Sequence, residues 1–317
     1  MIKTAIMGAS SPVAGELLRI LINHPDVRLM WVNSRSMASG AVADIHAGLH
    51  GDVDLRFTPE VQLEGIDMLF LCSTPGETRD FLDQHPDLPP AMRIIDLSGA
   101  CIGRDDFIYG LPELERKAMV RGGTRVAVPA AVTTVLNLAL LPLAKNLMIN
   151  NPVQATVITA QSDQAASTVL GSSDNIALDR PLRHPAAAEV VEILSRLQCS
   201  LNQPVKLISM RGPQQRGTFA TLLVETNTDL PHLRQLYEQY YDDHNFVWLT
   251  ERAAELKDVV NTNKCLLHLQ RIDGQLLITA VLDNHLKGAA GTAVHAMNLL
   301  FGLSERTGLA LKTSTYN

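Results

Sequence analysis

Apolar and polar positions fall into two different rhythms along this chain. In the first, short apolar runs alternate with stretches of helical spacing. Residues 4–7 form an apolar run that enters the small-residue turn Gly8-Ala-Ser-Ser-Pro12, and an amphipathic helix follows it. Further apolar runs at 28–33, 66–72, 93–98 and 125–128 predict strands, and 66–72 is apolar nearly throughout, as in parallel sheets buried on both faces. The turn Ser73-Thr-Pro-Gly76 feeds another helix, and Tyr109-Gly-Leu-Pro-Glu113 predicts a turn. Strands that alternate with helices in this way predict a doubly wound α/β domain of the Rossmann type. The strand 125–128 then meets an elbow, Val128-Pro-Ala-Ala-Val132, and the apolar run 135–143 continues as a helix.

The rhythm changes after Asn150-Asn-Pro152. Strands are predicted at 153–159, 205–210, 218–224, 245–249, 266–269 and 275–282, with helices only near 185–197 and 231–240. That balance predicts an α+β domain built on an antiparallel or mixed sheet. A last apolar helix, 287–303, opens with small residues that permit close approach of another backbone or a flat ligand. The expected organisation is two domains, with the change between them near residues 149 and 150.

Bulk properties narrow the partners. A length of 317 residues accommodates two domains with real cores, and 46% apolar with 19% charged residues is a globular composition. The net charge of −6, with no long basic run, excludes nucleic acid and anionic membrane surfaces as expected partners. No apolar stretch approaches the roughly 18 residues of a membrane span, and the N-terminus lacks a signal-peptide layout. Cys72, Cys101, Cys199 and Cys265 lack the spacing of a metal site or a disulfide framework, so no metal is expected and a reducing cytoplasm is the expected location.

The chemistry begins at the first turn. Gly8, Ser11 and Ala14 stand at the spacing of a dinucleotide fingerprint, with Ser10 between them. In that motif the first position makes the turn, the second lets backbone approach a pyrophosphate, and the third packs helix on strand. Ser11 departs from it, since a side chain there crowds the phosphates; the alternative is a tight turn that holds no ligand. Ser34-Arg35-Ser36 closes the second strand, and an arginine between hydroxyls suits a 2′-phosphate, which favours NADP over NAD. The alternative is a solvated arginine.

Taken together the fragments resemble the N-acetyl-γ-glutamyl-phosphate reductase family, relatives of aspartate-semialdehyde dehydrogenase. The resemblance rests on Gly8-Ala-Ser with Glu16-Leu-Leu-Arg, His24-Pro-Asp-Val, Ser34-Arg-Ser36, Asp52-Val-Asp-Leu-Arg-Phe57, Asp96-Leu-Ser98 and Tyr109-Gly-Leu-Pro-Glu113. It continues through Arg216-Gly217, Ala220-Thr221, Lys257-Asp-Val-Val, Asn263-Lys-Cys265 and the closing block Asp283-Asn-His-Leu-Lys-Gly-Ala-Ala-Gly291 to Asn298. It implies a dinucleotide-binding domain of residues 1–149 with 288–317, a substrate and dimerisation domain of residues 150–287, NADP(H) as cofactor, held by Ser73, Pro75, Asn284, Lys287 and Gly288 as well as the first-domain residues, and a homo-oligomer, dimer or tetramer. It also implies a thiolate that attacks an acyl phosphate, with a histidine assisting proton transfer.

Here the resemblance predicts a missing part. The family's cysteine elbow aligns with Val128 to Val132, so Ala131 stands at the nucleophile's position, and its neighbours differ as well. Arg183-His184 ahead of a helix holding Glu189 matches the histidine segment, making His184 the candidate acid or base. The Ser-Gly-rich turn of the family falls on residues 161–167, where Asp163 introduces a negative charge and the glycines are absent. None of the cysteines, nor Thr133 or Thr134, is a convincing substitute. Three activities follow as alternatives: an NAD(P)H-dependent reductase of a preformed carbonyl or imine on a small amino-acid-like substrate; an inactive homologue that binds a ligand or regulates; and acyl-phosphate reduction itself, the least expected.

Overall fold

A computed structural model describes residues 1–161, 175–179 and 184–313. The chain divides into two compact units, Met1–Pro129 with Ala289–Ala310, and Ala130–Gly288 with Leu311–Asn317.

The first unit is built on seven strands. β1 (Ile2–Met7) leads through α1 (Pro12–Leu21) to β2 (Val27–Asn33), then through the short α2 (Val42–Ile45) to β3 (Phe57–Thr58). β4 (Met68–Leu71) is followed by α3 (Pro75–Gln84), β5 (Arg93–Asp96), β6 (Ile108–Tyr109), α4 (Pro112–Val120) and β7 (Arg125–Ala127). The order across the sheet is β3-β2-β1-β4-β5-β7-β6, and every pairing is parallel. All four residues of β4 are buried, as its unbroken apolar pattern requires. The order reverses beside β1, and in open α/β sheets the crevice at such a switch, beyond the carboxyl ends of the strands, is where ligands bind. The two-residue β3 and β6 were not predicted; they are too short to carry a periodic signal.

The second unit opens with α5 (Ala131–Lys145), nearly all of it buried. β8 (Val153–Thr159), β9 (Ala177–Leu178), α6 (Pro185–Ser195), β10 (Val205–Arg211), β11 (Thr218–Glu225) and α7 (Leu230–Tyr241) follow, then β12 (Val247–Leu249), β13 (Cys265–Ile272) and β14 (Gln275–Leu282). The sheet order is β12-β13-β14-β11-β8-β10-β9, with antiparallel pairs around β14 and parallel pairs β8/β10 and β12/β13. This is the mixed sheet expected.

The domain expectation differed at α5, placed at the end of the first domain, whereas α5 lies in the second unit. The physical reason is on its surface. α5 packs on β14, β11, α6 and α7, and it contains Pro142. A proline inside a helix has no N–H for the carbonyl four residues before it, here that of Leu138. The Tyr241 hydroxyl of α7 donates to the Leu138 carbonyl at 2.5 Å, and Tyr237 donates to the Ala139 carbonyl at 2.6 Å. The helix therefore owes part of its backbone satisfaction to this unit.

The predicted helix 287–303 is two pieces. A π-helical turn, Leu286–Ala290, precedes α8 (Gly291–Leu300), and Gly302 with φ +66° stops the helix. Gly288 and Ala289 fall on opposite sides of the division, so α8 returns to the first unit. There Asn298 holds His24, Oδ1 to Nε2 at 3.1 Å, and its Nδ2 reaches the Glu305 and Thr307 carbonyls. His295 contacts Glu305 at 2.6 Å. Burial lowers the His24 pKa, with the Asn298 hydrogen bond opposing.

Candidate active site

The crevice of the first unit is a cavity of about 640 Å³ lined by Gly8, Ser10, Ser11, Ser34, Arg35, Ser36, Ser73, Thr74 and Glu77 among others. Seven of the residues expected at the cofactor thus come together. Gly8 is forced by close approach: its φ is +75°, and a Cβ there would stand 2.4 Å from the Ser73 amide nitrogen. The loop after it is tied on both sides, Ala9 N–H to the Asn33 carbonyl at 2.7 Å and the Ala9 carbonyl to His46 Nε2 at 2.7 Å. His46 escaped the sequence reading. Its only signal was Gly15, where a Cβ would meet the His46 ring at 2.5 Å.

Two helices start at this cavity, and each carries its own cap. Ser11 is the N-cap of α1, its hydroxyl accepting from Ala14 N–H at 3.3 Å. The side chain is therefore turned onto the helix. Ala14 is fully buried where α1 packs on the sheet. Thr74 caps α3 in a reciprocal box, accepting from Glu77 N–H at 3.4 Å while Glu77 Oε2 accepts from Thr74 N–H at 3.0 Å. Pro75 opens α3 and sets its backbone. The Thr74 hydroxyl, donating to Glu77 at 2.8 Å, is the largest influence holding the Glu77 carboxyl below the usual range, with Arg35 adding to it. Ser34 links Ser10 at 2.9 Å and Ser36 at 3.3 Å, so the hydroxyls around exposed Arg35 form one chain.

Thiols offer nothing in this unit. Cys72 lines the cavity but is buried, and burial with the charge of Asp96 pushes its thiol far up. The same two causes push Cys101 up to about 12.

In the second unit α5 starts without a cap. Its N-cap Ala130 is extended, at φ −65° and ψ 156°, and makes no side-chain cap hydrogen bond. Ala131 is half-buried and touches the π-helical turn; a Cβ on Gly288 would lie 2.5 Å from the Ala131 Cβ. Thr133 donates to Glu189 at 3.2 Å, which joins the first turns of α5 and α6. His184 is the N-cap of α6, and its Nδ1 accepts from Ala186 N–H at 3.2 Å. In that bond Nδ1 is the acceptor, which leaves Nε2 as the ring's donor nitrogen. Arg183 and residues 162–167 lie outside the described residues.

Asn284, Lys287 and Gly288, expected at the cofactor, all belong to the second unit. Asn284 Oδ1 accepts from Gly217 N–H at 2.7 Å, and fully buried Lys287 lies 5.8 Å from the Phe246 ring centre. Asp283, also fully buried, takes Arg216 at 3.0 Å and the amides of Asn261, His285 and Leu286 at 2.8, 2.9 and 3.1 Å. This arginine–carboxylate knot was visible in the sequence only as two quoted fragments, 67 residues apart. Cys265 is fully buried in β13, and exposed Cys199 lies beyond the far end of α6.

Comparison with known proteins agrees with this division. Residues 3–121 match the semialdehyde dehydrogenase NAD-binding domain, and residues 132–284 match the semialdehyde dehydrogenase dimerisation domain. N-acetyl-gamma-glutamyl-phosphate reductases of Parabacteroides distasonis and Phocaeicola vulgatus are 44% and 43% identical, each covering 100% of both chains. Among solved structures, aspartate semialdehyde dehydrogenase II of Vibrio cholerae superposes with a TM-score of 0.75 at 15% identity, over 95% of this chain and 99% of that one. The aspartate semialdehyde dehydrogenase of Candida albicans, solved with NADP, gives 0.71 at 14%, over 95% and 99%.

Proposed function

This chain belongs to the family of semialdehyde dehydrogenase-like reductases that includes the N-acetyl-γ-glutamyl-phosphate reductases, and from that premise we propose that it is an NADP(H)-dependent reductase that works without a covalent thioester. The observation that carries the reading is a contrast: the crevice around Gly8 is formed, while the start of α5 presents a methyl group at Ala131.

The first-unit residues fit a dinucleotide. Gly8 leaves room for backbone approach, the uncapped remainder of the α1 and α3 first turns offers N–H groups to phosphates, and Arg35 among three serines suits the 2′-phosphate. The bound cofactor supplies hydride to a carbonyl or imine carbon. The protein's part is to orient the acceptor and deliver a proton to its heteroatom. His184 is suited to that, because its Nδ1 is committed to Ala186 and the Nε2–H is the donor. Lys287 is the second candidate. The substrate class is a small amino-acid-like carbonyl compound, following the names of the relatives. The match of the second unit to a dimerisation domain supports a homo-oligomer, dimer or tetramer.

Titration with NADPH and NADH by fluorescence tests the first half. Tighter binding of NADPH that Arg35→Ala weakens about tenfold or more, with NADH unchanged, supports it; no NADPH binding ends it. Oxidation of NADPH by a panel of aldehydes and imines, lost in His184→Ala, tests the second half. The bare start of α5 favours one competing reading, an inactive homologue that binds ligand only. That reading stands if no carbonyl compound is turned over. Ala131→Cys separates both from acyl-phosphate reduction: recovered activity on an acyl phosphate marks an otherwise intact family site, and none marks a remodelled one.

A further inference from the structure

The peptide joining Ala9 to Ser10 is the middle of the turn that opens the crevice. Ser11 N–H returns to the Gly8 carbonyl at 3.2 Å and closes that turn over residues 8–11. The middle peptide is its movable part, because types I and II differ chiefly in which way that peptide faces. Ser10 does not take a positive φ, which excludes the type II arrangement. The peptide is trans, so its carbonyl and its N–H point in opposite directions.

The carbonyl end is held from behind. His46 Nε2 lies 2.7 Å from the Ala9 oxygen, and since a carbonyl only accepts, Nε2 carries the proton. The ring reaches this place because α1 has no side chain at Gly15, where a Cβ would stand 2.5 Å from Nδ1 and 2.8 Å from Cε1. The Phe57 ring stands edge-on, its centre 6.4 Å away. The backbone that presents the ring is itself tied, Val42 N–H to the Leu55 carbonyl and His46 N–H to the Val42 carbonyl, each at 2.9 Å.

The N–H end is open. Ser10 lines the crevice, and its amide meets no acceptor among the described residues. Other donors of this helix start are already spent: Ala9 N–H on the Asn33 carbonyl, Ser11 N–H on Gly8 and Ala14 N–H on the Ser11 hydroxyl, while Pro12 has none.

We propose that His46 is a positioning residue for the diphosphate of the nucleotide. Its Nε2–H holds the Ala9 carbonyl, and the N–H of the same peptide, that of Ser10, is thereby presented to an anionic oxygen in the crevice. A bond on the carbonyl also polarises the peptide and strengthens its N–H as a donor. The inference rests on the reductase reading and adds to it a residue that acts on the cofactor only through this peptide.

Calorimetry on the full chain with three ligands tests it: NADP+ and inorganic pyrophosphate, which carry a diphosphate, and adenosine 2′-monophosphate, which does not. His46→Met fills the space beside Gly15 without a donor. It is expected to weaken whichever diphosphate the parent binds about tenfold and to leave the monophosphate unchanged. His46→Gln places an amide N–H where Nε2 stood and restores most of the lost affinity, a recovery that packing alone does not give. Gly15→Ala drives the ring off the carbonyl, so it reproduces the loss in the parent and adds nothing to His46→Met. It carries the test should the methionine variant fail to fold. Diphosphate bound by His46→Met as by the parent, equal loss in the methionine and glutamine variants, or weakening of all three ligands together overturns the role of His46. Pyrophosphate bound without NADP+ sinks the reductase reading, while the contrast between methionine and glutamine still decides the role of His46. Binding of neither diphosphate by the parent overturns both.

Discussion

The two helix starts at the first unit's crevice and the start of α5 in the second unit are built on opposite plans. In the first unit α1 and α3 begin at Ser11 and Thr74, side chains that satisfy the backbone behind them. In the second, α5 begins at Ala130 and Ala131, whose side chains cap nothing, and its partners arrive from other elements: Glu189 for Thr133, Gly288 against Ala131, Tyr241 for the carbonyl opposite Pro142. A capped start is held by its own sequence and persists whatever binds there. An uncapped start depends on its surroundings, which is the arrangement expected where groups from elsewhere complete the helix end.

Breaking the first plan has the largest effect. Gly8→Val forces a side chain into the Ser73 backbone at a positive φ, so the first unit is expected to lose about 4 kcal/mol of stability, with NADPH binding lost at the same time. Urea unfolding and nucleotide titration read the two. Next in size, Tyr241→Phe leaves the Leu138 carbonyl buried and unmet, at a cost of about 1–3 kcal/mol by thermal or urea unfolding. An unchanged midpoint would mean that α5 does not rely on α7 in this way. Thr74→Ala removes the reciprocal box and is expected to cost about 1 kcal/mol. It also changes the acid limb. Because the folded Glu77 pKa is depressed, its contribution is present above the unfolded value of 4.5 and is lost as pH falls through the folded value. The variant should therefore lose less stability than the parent between neutral pH and acid. The smallest effect runs in the opposite direction: Ala130→Ser supplies the cap α5 lacks and should raise stability by about 0.5–1 kcal/mol. If it instead lowers stability, the extended Ala130 is already in use by its surroundings.

Legibility in the sequence followed the same divide. Strands buried on both faces announce themselves, so β4 was evident, and β8 and β14 match their predicted limits residue for residue. The alternating second sheet was equally open to reading. What escaped was either too short to repeat, as with β3, β6 and β9, or depended on a distant partner. α5 follows β7 directly in sequence, and nothing local in its apolar run says that Tyr237 and Tyr241, about a hundred residues later, claim it. The Gly8 fingerprint was legible, but Ser11 as a cap was not, because a serine hydroxyl can face a phosphate or its own helix equally well from spacing alone. The π-helical turn at Leu286–Ala290 was hidden because its small residues also suit an ordinary helix. That neither polar atom of the buried Asn263 side chain finds a hydrogen-bond partner has no signature in sequence at all.

The return of α8 bears on the order in which the protein is made. Ribosomes release the chain from its N-terminus, so all seven strands of the first unit emerge before α5 does. His24, however, waits for Asn298, 274 residues later, and Arg93 for the ring of Phe301. The unit that starts first is completed only after nearly all of the second has been made. Until the final stretch of synthesis the nucleotide crevice belongs to a sheet still missing one of its helices, and a nascent chain halted before Ala289 should remain a client for chaperones rather than a binder of nucleotide.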